Sequence, residues 1–220
     1  AHNNLGLVYE KFKEYQKAIS CYQKSIQINS RYVFAYFNLG NLFKTLGKLK
    51  EAKKSYEKTI QIQPNLAAAH NNFGDLLSEL GENDKAKKSY EKAIKINPNF
   101  TIAYWNLHSF ASDIDEALTV LKKLYEIDNK FLKAKIMISA LQCFKGNFSD
   151  FNNLIDSPEA QHPYTRSIKW VFSLPKLPKI FFNRWKFYDS IFELADKSRI
   201  FYEFGVWNGA SFQYLTNYFK

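Results

Sequence analysis

Cysteine is scarce in this chain. Cys21 and Cys143 are the only two among 220 residues, far apart and without Cys-x-x-Cys or Cys/His spacing, which excludes a thiolate metal centre and a disulfide scaffold. They read as reduced thiols of a reducing compartment, which places the chain in the cytoplasm. No apolar run approaches the roughly 18 residues of a membrane span, and no basic-then-apolar leader opens the chain, so a membrane partner is not expected. The opening, AHNNLGLVYE, carries no Met and falls inside a repeat, which leaves room upstream for both a targeting segment and further repeats; the chain reads as a fragment.

What is plentiful is apolar and aromatic material, 46% and 17% of residues, too much for a disordered chain. Charge is plentiful too, 31 Lys and Arg against 21 Asp and Glu, a net +10. The excess is Lys mixed with Glu on helix faces, as in KLKEAKKSYEKT, beside much Asn, Ile and Phe. That combination reads as solvated helix surface plus an AT-rich coding bias, so nucleic acid is not the expected partner.

The organisation is an internal repeat. Leu5-Gly6, Leu39-Gly40, Phe73-Gly74 and Leu107-His108 follow one another at steps of 34, as do Ala18, Ala52 and Ala86, and Tyr22, Tyr56 and Tyr90. Pro64 and Pro98 close two units, with Ser30 in the matching place of the first. Small residues at fixed places suit two helices that cross closely, Tyr9, Phe43, Leu77 and the later tyrosines fill the space around them, and a proline after the second helix ends it. Helices are expected at 2–13, 16–29, 33–46, 49–62, 67–80, 83–96, 101–112 and 114–127. The fourth unit is degenerate: His108 replaces its glycine, and Ala117 comes three residues early. A weaker fifth hairpin, KAKIMISALQCFKG and SDFNNLI, follows as a cap.

These residues resemble the tetratricopeptide repeat over residues 1 to about 128. The resemblance implies a mainly α solenoid, an array over 1–155, whose first helices line a concave groove for a protein or peptide. Asn4, Asn38, Asn72 and Asn106 recur in register just before each Leu-Gly, and Asn41 and Asp75 lie one turn on, with Asn71, Phe37 and Trp105 on the same face. A ladder of carboxamides can donate to and accept from an extended backbone, and it is similar to the asparagine ladder in the repeats of protein O-GlcNAc transferase. The other reading is that Asn is merely common at this place and idle. No column of Lys or Arg is in register there, so a clamp for a C-terminal carboxylate is not evident. His70 and His108 read as packing or surface residues, and no metal site is expected.

Between residues 155 and 181 the period is lost and four of the six prolines fall, which marks a connector over 156–180, with a short helix over 164–173. An aromatic-striped helix follows, carrying Phe181, Trp185, Tyr188 and Phe192 at helical spacing. RIFYEFGV then reads as a strand buried on both faces, and VWNGASFQYL as a glycine turn opening a helix. Strand, glycine turn, helix is the first unit of a doubly wound α/β domain over 181–220, Rossmann-like and truncated. Neither GxGxxG nor a P-loop is present. The run Glu203 to Ser211 is instead similar to the E-x-G-V-x-x-G-x-S form of macrocin O-methyltransferase-like enzymes, within the class I S-adenosylmethionine-dependent methyltransferases. That resemblance covers residues 199 to 215. It implies S-adenosylmethionine as cofactor, with Gly205 and Gly209 letting the backbone approach it, Glu203 near its ammonium or orienting the loop, and Ser211 donating to its carboxylate. Trp207 stands at the middle glycine position; if it closes the pocket, that assignment fails. The catalytic residues are expected beyond Lys220, so the chain alone should not catalyse methyl transfer. A non-catalytic repeat scaffold and a repeat-fused glycosyltransferase remain open alternatives.

Overall fold

The computed structural model describes residues 1–161 and 165–166, all of whose regular structure is helical. The helices are α1 (His2–Lys11), α2 (Tyr15–Ile28), α3 (Val33–Thr45), α4 (Leu49–Ile62), α5 (Ala67–Glu79), α6 (Asn83–Ile96), α7 (Thr101–Leu107), α8 (Ile114–Ile127), α9 (Leu132–Phe144) and α10 (Ser149–Ile155), with 3-10 turns at His108–Phe110 and Pro158–Gln161. They form two units, Ala1–Leu107 and a second that starts at His108.

In the first unit the helices pair as hairpins α1–α2, α3–α4 and α5–α6, and α7 packs on α6. The second helices show why the sequence folds this way. Ala52, Ser55, Tyr56 and Thr59 are buried at spacings of three and four, one apolar stripe on an otherwise Lys- and Glu-rich helix. Ser55 and Thr59 meet their hydroxyl demand by donating to the carbonyls of Glu51 and Ser55, at 2.8 and 2.9 Å.

The step glycine makes the hairpin crossing. A Cβ on Gly6, Gly40 or Gly74 would lie 2.5, 2.7 or 2.7 Å from Cε1 of Tyr22, Tyr56 or Tyr90. Each tyrosine is therefore seated on its own hairpin's glycine, and Tyr56 also reaches the next hairpin, its ring lying between Phe37 and Phe73 at centroid distances of 6.3 and 6.4 Å. The tyrosines thus pack within the hairpin as well as between hairpins.

The first helices α3 and α5 end in the same left-handed turn. Gly47 and Gly81, at φ of +70° and +75°, accompany paired bonds such as Gly47 N–H to Lys44 O and Lys48 N–H to Phe43 O, which satisfy the last carbonyls. In α1 the corresponding residue is Lys13, at φ of 60°. The expected helices over the first three repeats agree with the observed ones to within two residues.

The fourth first helix differs from the expected 101–112. The α-helix stops at Leu107, and a 3-10 turn takes over at His108, where the other three carry the glycine that a tyrosine ring requires. In the second unit Asp113 caps α8 by accepting from the Glu116 N–H at 2.8 Å, while Glu116 accepts from the Ser112 N–H at 2.7 Å. α8 packs on α9 and α10 on α9, around Leu121, Leu124, Ile136 and Leu154. The weak fifth hairpin of the sequence is α9–α10.

No strand occurs among the described residues. The strand at 199–206, its glycine turn, the aromatic-striped helix and all but Thr165 and Arg166 of the helix expected over 164–173 lie outside them.

Candidate functional site

Within the first unit the first helices form one row. α1 touches α3, α3 touches α5 and α5 touches α7, while α2, α4 and α6 do not approach one another as closely. The first helices therefore lie on the inner side of the stack, and every expected groove residue is on one of them.

Side-chain hydrogen bonds run along that row from one repeat to the next. Asn38 Nδ2 donates to Asn3 Oδ1 at 3.0 Å, and Asn72 Nδ2 donates to Asn41 Oδ1 at 2.9 Å. Asn106 Nδ2 donates both to Asn71 Oδ1, at 3.1 Å, and to Asp75 Oδ1, at 2.9 Å. Asn71 Nδ2 closes the chain by donating to Asn72 Oδ1 at 3.2 Å. Each of these ladder asparagines reaches back into the preceding repeat. Asn4 is exposed.

The tyrosines join the same network. Tyr56 OH donates to Asn41 Oδ1 at 2.7 Å and Tyr90 OH to Asp75 Oδ1 at 2.8 Å, so each acceptor takes one bond from its own hairpin and one from the next. In the first hairpin the corresponding position is Leu7, which accepts nothing, and Tyr22 OH turns to Glu10 Oε2 at 2.8 Å. Burial and the adjacent acid raise the tyrosine hydroxyls far above their ordinary range, so they stay protonated and donating. Burial also raises Asp75 above the usual carboxylate range, against the opposing pull of Lys44 and the Tyr90 bond. Lys44 Nζ lies 3.7 Å from Asp75 Oδ2 and 3.3 Å from Glu79 Oε1.

On α3 two groups of this row are unspent. Among the described residues Asn41 Nδ2 and Asn38 Oδ1 have no partner, since Asn41 uses only its oxygen and Asn38 only its nitrogen. Asn38 and Asn41 are three apart on α3, hence on one face, and Phe34, 52% exposed, lies one turn before Asn38 on that face. The result is one amide donor, one amide acceptor and one aromatic surface side by side.

Sequence reasoning placed Asn38, Asn41, Asn72, Asp75 and Asn106 on these helices but treated the tyrosines as packing only, and it passed over Phe34 and Lys44. The tyrosine hydroxyls were legible in the steps of 34, which set Tyr56 against Asn41 and Tyr90 against Asp75. His70 is a pin between segments: its Nε2 donates to the Pro64 carbonyl at 2.8 Å, as Tyr104 OH donates to Pro98 O at 3.1 Å and Tyr36 OH to Ser30 O at 3.3 Å. No group of three or more His, Cys, Asp or Glu side chains among the described residues could hold a metal. Cys143 is buried, which pushes its thiol up to about 11 and leaves it protonated. Glu203, Gly205, Gly209 and Ser211 lie outside the described residues.

Comparison with known proteins agrees with the repeat. Tetratricopeptide-repeat family models match residues 1–65 and 67–100. These hairpins are tetratricopeptide repeats. Among solved structures the chain is similar to YrrB, described as a TPR protein with an unusual peptide-binding site, at 22% identity and a TM-score of 0.62 over 77% of this chain and 90% of that one. It is similar to MamA at 22% identity and a TM-score of 0.59, over 66% and 86% of the two chains. MamA from Desulfovibrio magneticus RS-1 gives 14% identity and a TM-score of 0.62, over 73% and 95%. At these identities the likeness is one of fold. No curated protein matches the chain. No helix among the described residues is long and apolar enough to cross a membrane.

Proposed function

We propose that the repeats bind an extended peptide segment of another protein along the inner face of α1, α3, α5 and α7, with Asn4, Asn38, Asn41, Asn72, Asp75 and Asn106 on its floor. The observation that carries this is the unspent pair on α3, Asn41 Nδ2 and Asn38 Oδ1, beside exposed Phe34. An extended backbone offers a carbonyl and an N–H at a spacing that such a pair can meet, and an apolar side chain of the peptide covers Phe34. Asn3, Asn71, Asn72 and Asn106 are bonded along the row and hold it ordered, so little ordering is left to oppose binding over α3, α5 and α7. YrrB, alike in fold, is described as carrying a peptide-binding site, which favours the same use here.

The test is selection of peptides from a random display library on the whole chain. Phe34→Ala should weaken the selected peptides at least about fivefold with the urea midpoint unchanged, and Asn41→Ala should weaken them as much while also lowering the midpoint, since it removes the acceptor of Tyr56 OH and Asn72 Nδ2. Peptides held equally well by both variants would sink the proposal.

The segment 199–215 supports a second element, the start of a methyltransferase domain to which the repeats bring a protein. Its support is the sequence pattern of Glu203, Gly205, Gly209 and Ser211. Titration of S-adenosylmethionine into the protein, monitored by calorimetry, checks it: binding lost in Gly205→Asp favours the reading, and no heat of binding in the unmodified protein, extended through any downstream sequence, counts against it.

A further inference from the structure

Charge is divided between the two helices of each hairpin. The second helices α2, α4 and α6 carry +2, +2 and +3, whereas the first helices α1, α3, α5 and α7 carry 0, +1, −2 and 0. A chain of 31 Lys and Arg thus places one basic side chain, Lys44, on α3, α5 and α7 together. That one is engaged, with Asp75 Oδ2 at 3.7 Å and Glu79 Oε1 at 3.3 Å. The Lys44 side chain is 24% exposed, whereas the Glu79 side chain is 48% exposed and so has the greater share of open solvent.

From this we infer that the segment held in the groove is basic and internal, not acidic and not a C-terminal carboxylate, an inference that rests on the peptide-groove reading above. A carboxylate arriving beside Lys44 meets two carboxylates for one cation. A Lys or Arg arriving there meets the same two as partners, and Glu79 is exposed enough to turn toward it. The net charge of +10 does not reverse this. Paired helices sit about 8–10 Å apart, and the Debye length at physiological salt is about 8 Å, so lysines on the outer helices are largely screened from the groove.

Lys44 makes the experiment decisive, because acidic and basic ligands predict opposite signs for its removal. The probes are a labelled dodecapeptide with blocked ends carrying two leucines and three lysines in a Gly/Ser background, and its counterpart with glutamates for the lysines. Fluorescence anisotropy with the whole chain should show the lysine peptide binding, about two- to fivefold more tightly to Lys44→Met and about two- to fivefold more weakly to Glu79→Gln. Phe34→Ala should weaken it in either background, and equal urea midpoints show that the variants are folded. If the glutamate peptide binds the more tightly and Lys44→Met abolishes it, the charge inference is overturned while the groove stands. If neither peptide binds, or binding ignores Phe34→Ala and Asn41→Ala, both are overturned.

Discussion

The first hairpin, α1–α2, and the second, α3–α4, have the same backbone plan and different chemistry. Both seat a buried tyrosine on a glycine, Tyr22 on Gly6 and Tyr56 on Gly40. Yet Leu5 and Val8 are 43% and 46% exposed where Leu39 and Leu42, at the same places, are 5% and 0% exposed against α2. The turn residue is Lys13 in one and Gly47 in the other, both left-handed, and the groove position is Leu7 in one and Asn41 in the other. The lesson is that glycine and tyrosine fix the hairpin, whereas the groove chemistry varies on top of it, repeat by repeat.

That contrast can be pressed first through the core. Leu42→Ala should cost about 2–5 kcal/mol in urea unfolding, while Val8→Ala at the matching place should stay within about 0.5 kcal/mol. Equal costs would mean that the face of α1 is covered after all.

Next comes the shared element. Gly40→Ala drives a methyl toward a ring held by its bond to Asn41 and by Phe37 and Phe73, and should cost about 1–3 kcal/mol. Tyr56→Leu in the same chain should recover part of that loss, since the clash is with the ring edge; a purely additive double variant contradicts the seating.

A smaller effect of opposite sign is expected at the turn. Lys13→Gly gives the first hairpin the residue of the second at a φ of 60°, and should raise stability by about 0.5–1 kcal/mol, read as a higher urea midpoint.

The smallest effect compares the second hairpin with the third. Asp75 stands where Asn41 does, and burial raises its folded pKa above the unfolded value. A carboxyl of that kind adds stability when protonated, below its unfolded pKa, and that contribution is lost as pH rises through the folded pKa. Asp75→Asn keeps the oxygen that Tyr90 and Asn106 use, so its unfolding free energy should gain less than the parent's on mild acidification. An unchanged pH profile would place Asp75 in water.

Much of the fold was legible because the repeat states it several times. Gly6, Gly40 and Gly74 repeat at the same step of 34 as Tyr22, Tyr56 and Tyr90, a pattern satisfied by helices that cross at those points. The end of α7 at His108 was legible only as a broken pattern, since one substitution does not say which backbone replaces the helix. At the site, the places of Asn38, Asn72 and Asn106 followed from register, but their partners did not. Whether an asparagine bonds forward, backward or to solvent depends on the neighbour at Asn3, Asn41 or Asp75, and that neighbour changes from repeat to repeat. Phe34 escaped for the same reason: its equivalents are Ala68 and Ile102, so no column announced it.

The most direct test of the groove is to titrate a display-selected peptide into the isotopically labelled protein and follow the side-chain amide and aromatic resonances. The account predicts that Asn38, Asn41 and Phe34 shift together with one midpoint, while the tyrosine hydroxyl bonds within the hairpins persist. Shifts confined to α2, α4 and α6, with Asn38 and Asn41 unmoved, would contradict it.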